Sequence, residues 1–143
     1  MKKLYIPQYF KLYEWLPKDF YFSHKDLGDK LWLMFDYRIL WTYDQLRKRY
    51  GKVVMNDWFW GGNNQYRGWR PWNCSIGAEL SQHKFGRAGD SIFTIPAEKI
   101  RQDILNNEFD NDFQYISAIE KNVSWLHIDC RNLKDNNGIE LIE

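Results

Sequence analysis

Apolar residues recur at spacings of three or four between Leu31 and Tyr50. The residues on the shared face are Phe35, Ile39, Tyr43, Leu46 and Tyr50. Because one helical turn takes about 3.6 residues, this spacing predicts a helix with one buried face. The basic residues 47–49 and the following Gly51 are typical of a helix C-terminus. We therefore expect this first main helix to span Leu31–Tyr50.

Shorter patterns predict a second main helix and a small set of strands. The helix is expected over Pro96–Asn107, with Ile100, Ile104 and Leu105 facing inward. The sequence also favours two separate strands and a terminal hairpin with a tight turn. In order these are Val53–Met55, Arg87–Ile95, residues 113–120, a turn at 121–122, and residues 123–130.

Alternation in the last predicted strand separates its two faces. One face carries Ser124, Leu126, Ile128 and Cys130. This mostly apolar face is expected to pack on the core. The other face then turns His127 and Asp129 together toward a cleft or the solvent.

The order of these elements predicts one α+β domain over residues 1–143, with a small, mostly antiparallel sheet and two main helices. Residues 1–22 mix aromatic residues with Lys and Pro, which predicts an irregular N-terminal arm with short strands. Residues 56–80 contain paired glycines, asparagines and four tryptophans, typical of a long ordered loop. Loops of this length in compact domains are usually functional.

Composition narrows the classes of function. The chain has 20 basic and 19 acidic residues, and this balance argues against a nucleic-acid partner. No apolar run is long enough to span a membrane, and no signal peptide is apparent. We expect a monomer that is cytoplasmic, or phage-encoded and released to the cell wall. Aromatic residues make up 18% of the chain, which suits a rigid core or a stacking surface.

The sequence suggests a role for each of the two cysteines and for His24, the first of three histidines. Cys74 and Cys130 lie far apart, so a disulfide framework is not expected. We interpret Cys130 as a buried core residue, and Cys74 as a loop residue or a fourth metal ligand. His24 has no recognisable partner and is interpreted as a surface or capping residue.

The other two histidines lie in motifs that suit a metal site. His83 is followed seven residues later by Asp90, and His127 comes from the last strand. Two imidazoles and a carboxylate can bind zinc and leave a fourth position for water. The alternative is that these are ordinary polar residues at a loop, hydrogen-bonded to other groups of the protein. Gly86 allows a turn between the first two residues, and Ala88 leaves room beside Asp90.

These residues resemble a known family. The stretch from Ser81 to Asp90 reproduces the motif S-x-H-x-x-G-x-A-x-D of zinc D-Ala-D-Ala carboxypeptidases and related peptidoglycan peptidases. Residues 125–129 resemble the family's W-x-H-x-D segment, and residues 66–71 resemble its S-G-Y-R-S-P stretch. The resemblance covers residues 46–131 and implies the fold shared with the hedgehog signalling domain.

The resemblance implies one zinc ion held by His83, Asp90 and His127. It also implies that Arg70 lies near the substrate, where an Arg fork would bind a carboxylate. A guanidinium stacked on Trp69 or Trp72 is the alternative for Arg70.

The general base does not follow the family pattern. Many relatives carry Asp or Glu three residues before the last ligand, where this chain has Ser124. Glu120 and Asp129 are the candidates, and a chain without a competent base is the third possibility. In a tight hairpin Glu120 would lie about 13 Å along the strand from His127, so it needs a looser turn or a bulge to reach the metal.

The expected function is hydrolysis of a peptide bond in bacterial peptidoglycan by a zinc-dependent carboxypeptidase or endopeptidase. The alternative is a catalytically inactive zinc-bearing module that binds peptide or cell-wall material, or a structural component of a virus-like particle. Ser124 at the usual position of the acid motivates that alternative.

Overall fold

A five-stranded sheet forms the centre of the structure, a computed structural model that describes residues 3–133 and 138–143. Its strands are β1 Val53–Val54, β2 Ala88–Phe93, β3 Ala118–Glu120, β4 Leu126–Asp129 and β5 Glu140–Ile142. They lie in the order β1-β2-β4-β3-β5. The β3–β5 pair is parallel and the other three pairs are antiparallel, so the protein is α+β with a mixed sheet.

The first main helix starts later than its hydrophobic pattern predicts. Helix α1 spans Lys18–His24, residues 25–34 form 3-10 turns, and α2 spans Tyr37–Tyr50. The Asp36 side chain accepts a hydrogen bond from the Arg38 backbone N–H, which caps α2 at its N-terminus. Phe35 is extended, so the predicted start at Leu31 is wrong. The C-terminus after Tyr50 is confirmed, with Gly51 at a φ of 85°.

The second main helix, α3, spans Ala97–Asn106, close to its predicted bounds. Ile100 and Ile104 are fully buried as expected, but Leu105 is 36% exposed. The third buried residue of α3 is Arg101, which is 5% exposed. A charged residue therefore occupies the inner face where the sequence pattern predicted a leucine.

The N-terminal arm is irregular over residues 3–11, as predicted, but becomes helical after that instead of forming short strands. Residues 3–22 as described contain no strand, and instead form a 3-10 turn at Leu12–Glu14 and the start of α1. The buried Asp44 carboxylate in α2 holds the arm by accepting hydrogen bonds from the Tyr5 hydroxyl and from the backbone N–H groups of Gln8 and Tyr9.

The core lies between α2 and one face of the sheet. Its members from β3, β4 and the residue that follows β4 are Ile119, Leu126, Ile128 and Cys130. Their burial confirms the predicted inner face of the last strand, although Ser124 lies before β4 and is exposed. The fully buried Tyr43 donates a hydrogen bond to the Gly89 carbonyl of β2 at 2.8 Å. Bulky core packing on this face leaves the opposite face of β2 and β4 for polar groups.

The predicted hairpin exists, but its strands are shorter and its turn is wider. Residues 111–113 form a 3-10 turn, and five residues, 121–125, connect β3 to β4. Arg101 donates hydrogen bonds to the carbonyls of Val123 at 2.8 Å and Trp125 at 2.9 Å. These bonds satisfy buried acceptors in the connection and hold it against α3, so the tight turn at residues 121–122 is wrong.

In the described part of the chain, no helix combines the length and the apolar character that crossing a membrane requires.

Candidate metal centre

Three polar residues form a row across the outer face of the sheet. Asp90 of β2 pairs directly with His127 of β4. In the β3–β4 register Ala118 opposes Asp129 and Ile119 opposes Ile128, so Glu120 comes next to His127 on the other side. Because residues opposite each other in a sheet point to the same face, all three side chains meet in one cleft.

His83 joins this row from a 3-10 turn at Gln82–Phe85 that precedes β2. The Ser81 side chain caps the turn, and Gly86 ends it with a φ of 66°. A side chain at Gly86 would also overlap the Met34 carbonyl. The expectation that Gly86 turns the chain between His83 and Asp90 is therefore confirmed.

The long loop at residues 56–80, called the aromatic loop below, fixes the orientation of the His83 ring. Its Nδ1 donates a hydrogen bond to the Gly68 carbonyl at 2.7 Å. A Cβ on Gly68 would overlap the Trp15 backbone, so only glycine brings this carbonyl to the ring. Nε2 is thereby left without a proton and points into the cleft. Burial lowers the pKa of His83, which keeps the imidazole neutral and able to bind a cation.

Asp129 holds the His127 ring at Nε2, the ring nitrogen that faces away from Asp90. Nε2 of His127 donates to Asp129 Oδ2 at 3.1 Å, and Nδ1 lies 2.7 Å from Asp90 Oδ1. Burial alone would lower the pKa of His127, but the hydrogen bonds to the two carboxylates outweigh it and raise the pKa to about 9. In the metal-free chain a proton therefore occupies Nδ1, the position from which His127 would bind a metal.

Asp90 lies at the centre of the cluster. Its Oδ2 accepts a hydrogen bond from Arg70 Nη2 at 3.0 Å and lies 3.3 Å from His83 Nε2. Burial would raise the pKa of Asp90, but its contacts with His83 and with the protonated Nδ1 of His127 outweigh this effect and lower it, so the residue is a carboxylate.

The donor set fits a metal ion. Ligand atoms of His83, Asp90 and His127 all lie within 4.8 Å of one another, so this buried group could hold a metal. His83 Nε2 is buried and has no hydrogen-bond partner in the described chain, a costly state that a bound cation would relieve. Zinc bonds near 2.1 Å at tetrahedral angles separate two ligand atoms by about 3.4 Å. The distance between His83 Nε2 and Asp90 Oδ2, 3.3 Å, agrees with that value.

Of the two candidate bases, Glu120 lies on the metal side of His127. Its Oε2 is 4.0 Å from His127 Nδ1, and its side chain is 24% exposed to the cleft. Asp129 contacts the other ring nitrogen and is fully buried. The wider connection at residues 121–125 is what allows Glu120 to lie opposite His127.

Arg131 was not identified as a site residue from the sequence. Its Nε and Nη2 donate to the two oxygens of Asp129 at 2.9 Å and 2.6 Å. The resulting chain of contacts runs from Arg131 through Asp129 to His127. A basic residue two positions beyond Asp129 on the same strand face is the signal that could have revealed it.

Arg70 lies in the cleft wall and is 8% exposed. It donates to Asp90 and to the carbonyls of Tyr66 at 2.7 Å and Ile76 at 3.4 Å. In the described residues its guanidinium stacks on no aromatic ring, so the alternative of packing on Trp69 or Trp72 is wrong.

The cluster opens into a cleft of about 440 Å³, a size that suits a small ligand or a peptide segment. Its wall includes Ile76 from the aromatic loop, Trp125 from the β3–β4 connection, Arg131 just after β4, and Ile142 of β5. Of the tryptophans near the site, Trp58 is buried, whereas Trp60 and Trp72 are more than half exposed. The loop is thus anchored by some rings and leaves others in contact with solvent.

The remaining candidates lie outside the cluster. His24 is exposed and stacks on Phe20, as expected for a surface residue. Cys130 is buried, and burial raises the pKa of its thiol to about 12. Cys74 is not one of the three residues of the metal-capable group.

A scan against models of protein families, a search of curated proteins and a search of solved structures each found no significant match to this chain.

Proposed function

We propose that this protein is a zinc-dependent metallopeptidase that hydrolyses a peptide bond in bacterial peptidoglycan. The observation that carries the proposal is a carboxylate, Glu120, 4.0 Å from the metal-binding nitrogen of His127 and open to the same cleft. The peptidase motif at residues 81–90 supports the substrate class and a hedgehog/DD-peptidase-like fold.

Three protein ligands suit a catalytic metal better than a structural one. A structural zinc site usually has four protein ligands, whereas a catalytic site has three and leaves one position for water. His83, Asp90 and His127 supply three, and the cleft gives solvent access to them. Zinc, when bound, supplies Lewis-acid polarisation of the scissile carbonyl and lowers the pKa of the attacking water.

Each surrounding residue has a distinct task in this proposal. Glu120 takes a proton from the attacking water and gives it to the leaving amine. Asp129 holds the His127 ring through Nε2 so that Nδ1 faces the metal. Arg70 binds Asp90 Oδ2 and thereby fixes the carboxylate ligand. Ser124, which cannot act as a base, is exposed outside the cluster, and Glu120 takes over the role of the missing acid.

The test is turnover of purified peptidoglycan by the zinc-loaded protein. Release of new amino groups is measured for the natural chain, for Glu120→Gln and for Glu79→Gln. Glu79 is an exposed glutamate that does not line the cleft, so it is the matched control. Removing a general base is expected to lower the rate about 10²–10⁴-fold.

The proposal predicts that Glu79→Gln retains activity, that Glu120→Gln loses it, and that a chelator abolishes it in both active proteins. Binding to peptidoglycan without any release of amino groups by the natural chain would overturn the proposal. That outcome would favour an inactive zinc-bearing binding module.

A further inference from the structure

We infer that Arg131 is the residue that binds a substrate carboxylate in the cleft. The inference rests on the proposed function, because it concerns which part of a peptidoglycan peptide the cleft recognises. The peptides of peptidoglycan carry free carboxylates, so a dedicated cation in the cleft would select and orient them. The two arginines that line the cleft, Arg70 and Arg131, differ in how many of their donors are already used.

Arg70 has little capacity left for a ligand. Its Nε, Nη1 and Nη2 donate to Tyr66 O, Ile76 O and Asp90 Oδ2, so every nitrogen of the guanidinium has a protein acceptor. Its side chain is only 10% exposed. Two of its five N–H groups have no acceptor among the described residues, but the burial of the side chain leaves a substrate carboxylate less access than at Arg131, which is 23% exposed. Arg70 therefore acts as a positioning residue.

Arg131 is engaged on one edge only. Asp129 accepts bonds from its Nε and Nη2, the side edge of the guanidinium. Across residues 3–133 and 138–143, no acceptor is found for Nη1. The end edge formed by Nη1 and Nη2 is therefore available for a second, bidentate carboxylate. The side chain is 23% exposed and lines the cleft.

The position of Arg131 suits a group attached to the reacting peptide. Its Nη2 and His127 Nε2 contact the same oxygen of Asp129, at 2.6 Å and 3.1 Å. Only one carboxylate thus separates the guanidinium from a metal-binding imidazole. Asp129 also fixes the guanidinium plane, which reduces the entropy lost when a ligand binds.

The charges near the metal favour an anionic ligand once the site is loaded. Arg70 and Arg131 balance Asp90 and Asp129, and Glu120 adds one negative charge. A divalent cation makes these five side chains net positive by one charge, and the carboxylate of Glu140 on β5 also acts on Arg131. Glu143 lines the outer cleft, but it is paired with Lys121 at 3.2 Å.

The experiment compares the binding of two probes that differ only in charge. Zinc-loaded Glu120→Gln protein, which should not turn over, is titrated by calorimetry with N-acetyl-lysyl-D-alanyl-D-alanine and with its C-terminal amide. We expect the free acid to bind about tenfold or more tightly than the amide, as a charge-assisted pair should. Adding Arg131→Gln should bring the two affinities together, whereas Arg131→Lys should keep part of the difference.

A purely structural role of Arg131 would give a different result. Loss of support for Asp129 would weaken the binding of both probes equally, so the ratio of their two affinities would stay the same. An unchanged affinity ratio in Arg131→Gln therefore overturns the inference. Failure of both probes to bind the parent protein also overturns it. Because binding is measured without turnover, an acid preference that depends on Arg131 would stand even if the peptidoglycan assay showed no hydrolysis.

Discussion

Replacing Asp129 by Asn should weaken metal binding, although Asp129 is not one of the three candidate ligands. Asp129 is fully buried and accepts hydrogen bonds from His127 Nε2, from the Arg131 guanidinium and from the Arg131 backbone N–H. An asparagine offers only one acceptor oxygen, so its NH₂ group must face a donor. The His127 ring then loses the bond that keeps its Nδ1 directed at the metal.

The expected magnitude follows from the position of Asp129 behind a ligand. Loss of such a supporting carboxylate typically lowers metal affinity 10–100-fold, or about 1.4–2.7 kcal/mol. The metal-free fold should also lose about 1–3 kcal/mol, because a buried donor is left unsatisfied. Zinc affinity is measured by competition with a chromophoric chelator, and the free energy of unfolding by urea denaturation of the metal-free protein.

Asp44→Asn is the matched control for this substitution. Asp44 is also a buried carboxylate that accepts several hydrogen bonds, but its three partners are Tyr5, Gln8 and Tyr9 in the N-terminal arm. It should lower stability without changing zinc affinity. An Asp129→Asn protein with unchanged zinc affinity would refute the reasoning, since His127 would then not need its Nε2 contact.

Three further predictions concern the loop that positions Glu120 and the binding of the metal. Arg101→Met should leave the carbonyls of Val123 and Trp125 without their donor and destabilise the fold by about 1–3 kcal/mol. Because the connection positions Glu120 and not the metal ligands, peptidase activity should fall more than zinc affinity. Equal losses of activity and zinc affinity would contradict this prediction. At a free zinc concentration 100 times the dissociation constant, bound zinc should add about 2.7 kcal/mol to the free energy of unfolding. Removing the zinc should therefore lower the midpoint of thermal unfolding. His127 has its pKa raised above the ordinary value to about 9, so metal must displace a proton at any pH below that value. Metal affinity should therefore rise with pH up to about 9 and level off above it, and a pH-independent affinity between 6 and 9 would count against His127 as a ligand.

Local sequence patterns were a good guide to some elements and a poor guide to others. The periodicity of Ile39, Tyr43 and Leu46 identified the buried face of α2, because helix geometry repeats it whatever the surroundings. The start of that helix was misplaced because the Asp36 cap competes with the hydrophobic pattern. The inner face of α3 was also misassigned, because Arg101 is buried by bonds to a loop more than 20 residues away.

The sequence by itself pointed to the residue types of the metal-capable group and to the strand face of His127. The family motif at residues 81–90 and the alternation around His127 predicted its three members, which the structure brings together. Such assignments depend on spacing of two to seven residues, which the backbone geometry of a turn or strand converts directly into position.

Only the tertiary structure decided where the groups around those three residues lie. Glu120 reaches the metal side of His127 because the β3–β4 register and the Arg101-bound connection bring it there. Asp129 and Arg131 are separated from the metal because the ring nitrogens of His127 face opposite partners. Register, ring orientation and the use of each arginine's donors depend on contacts between distant segments, and no local pattern encodes them.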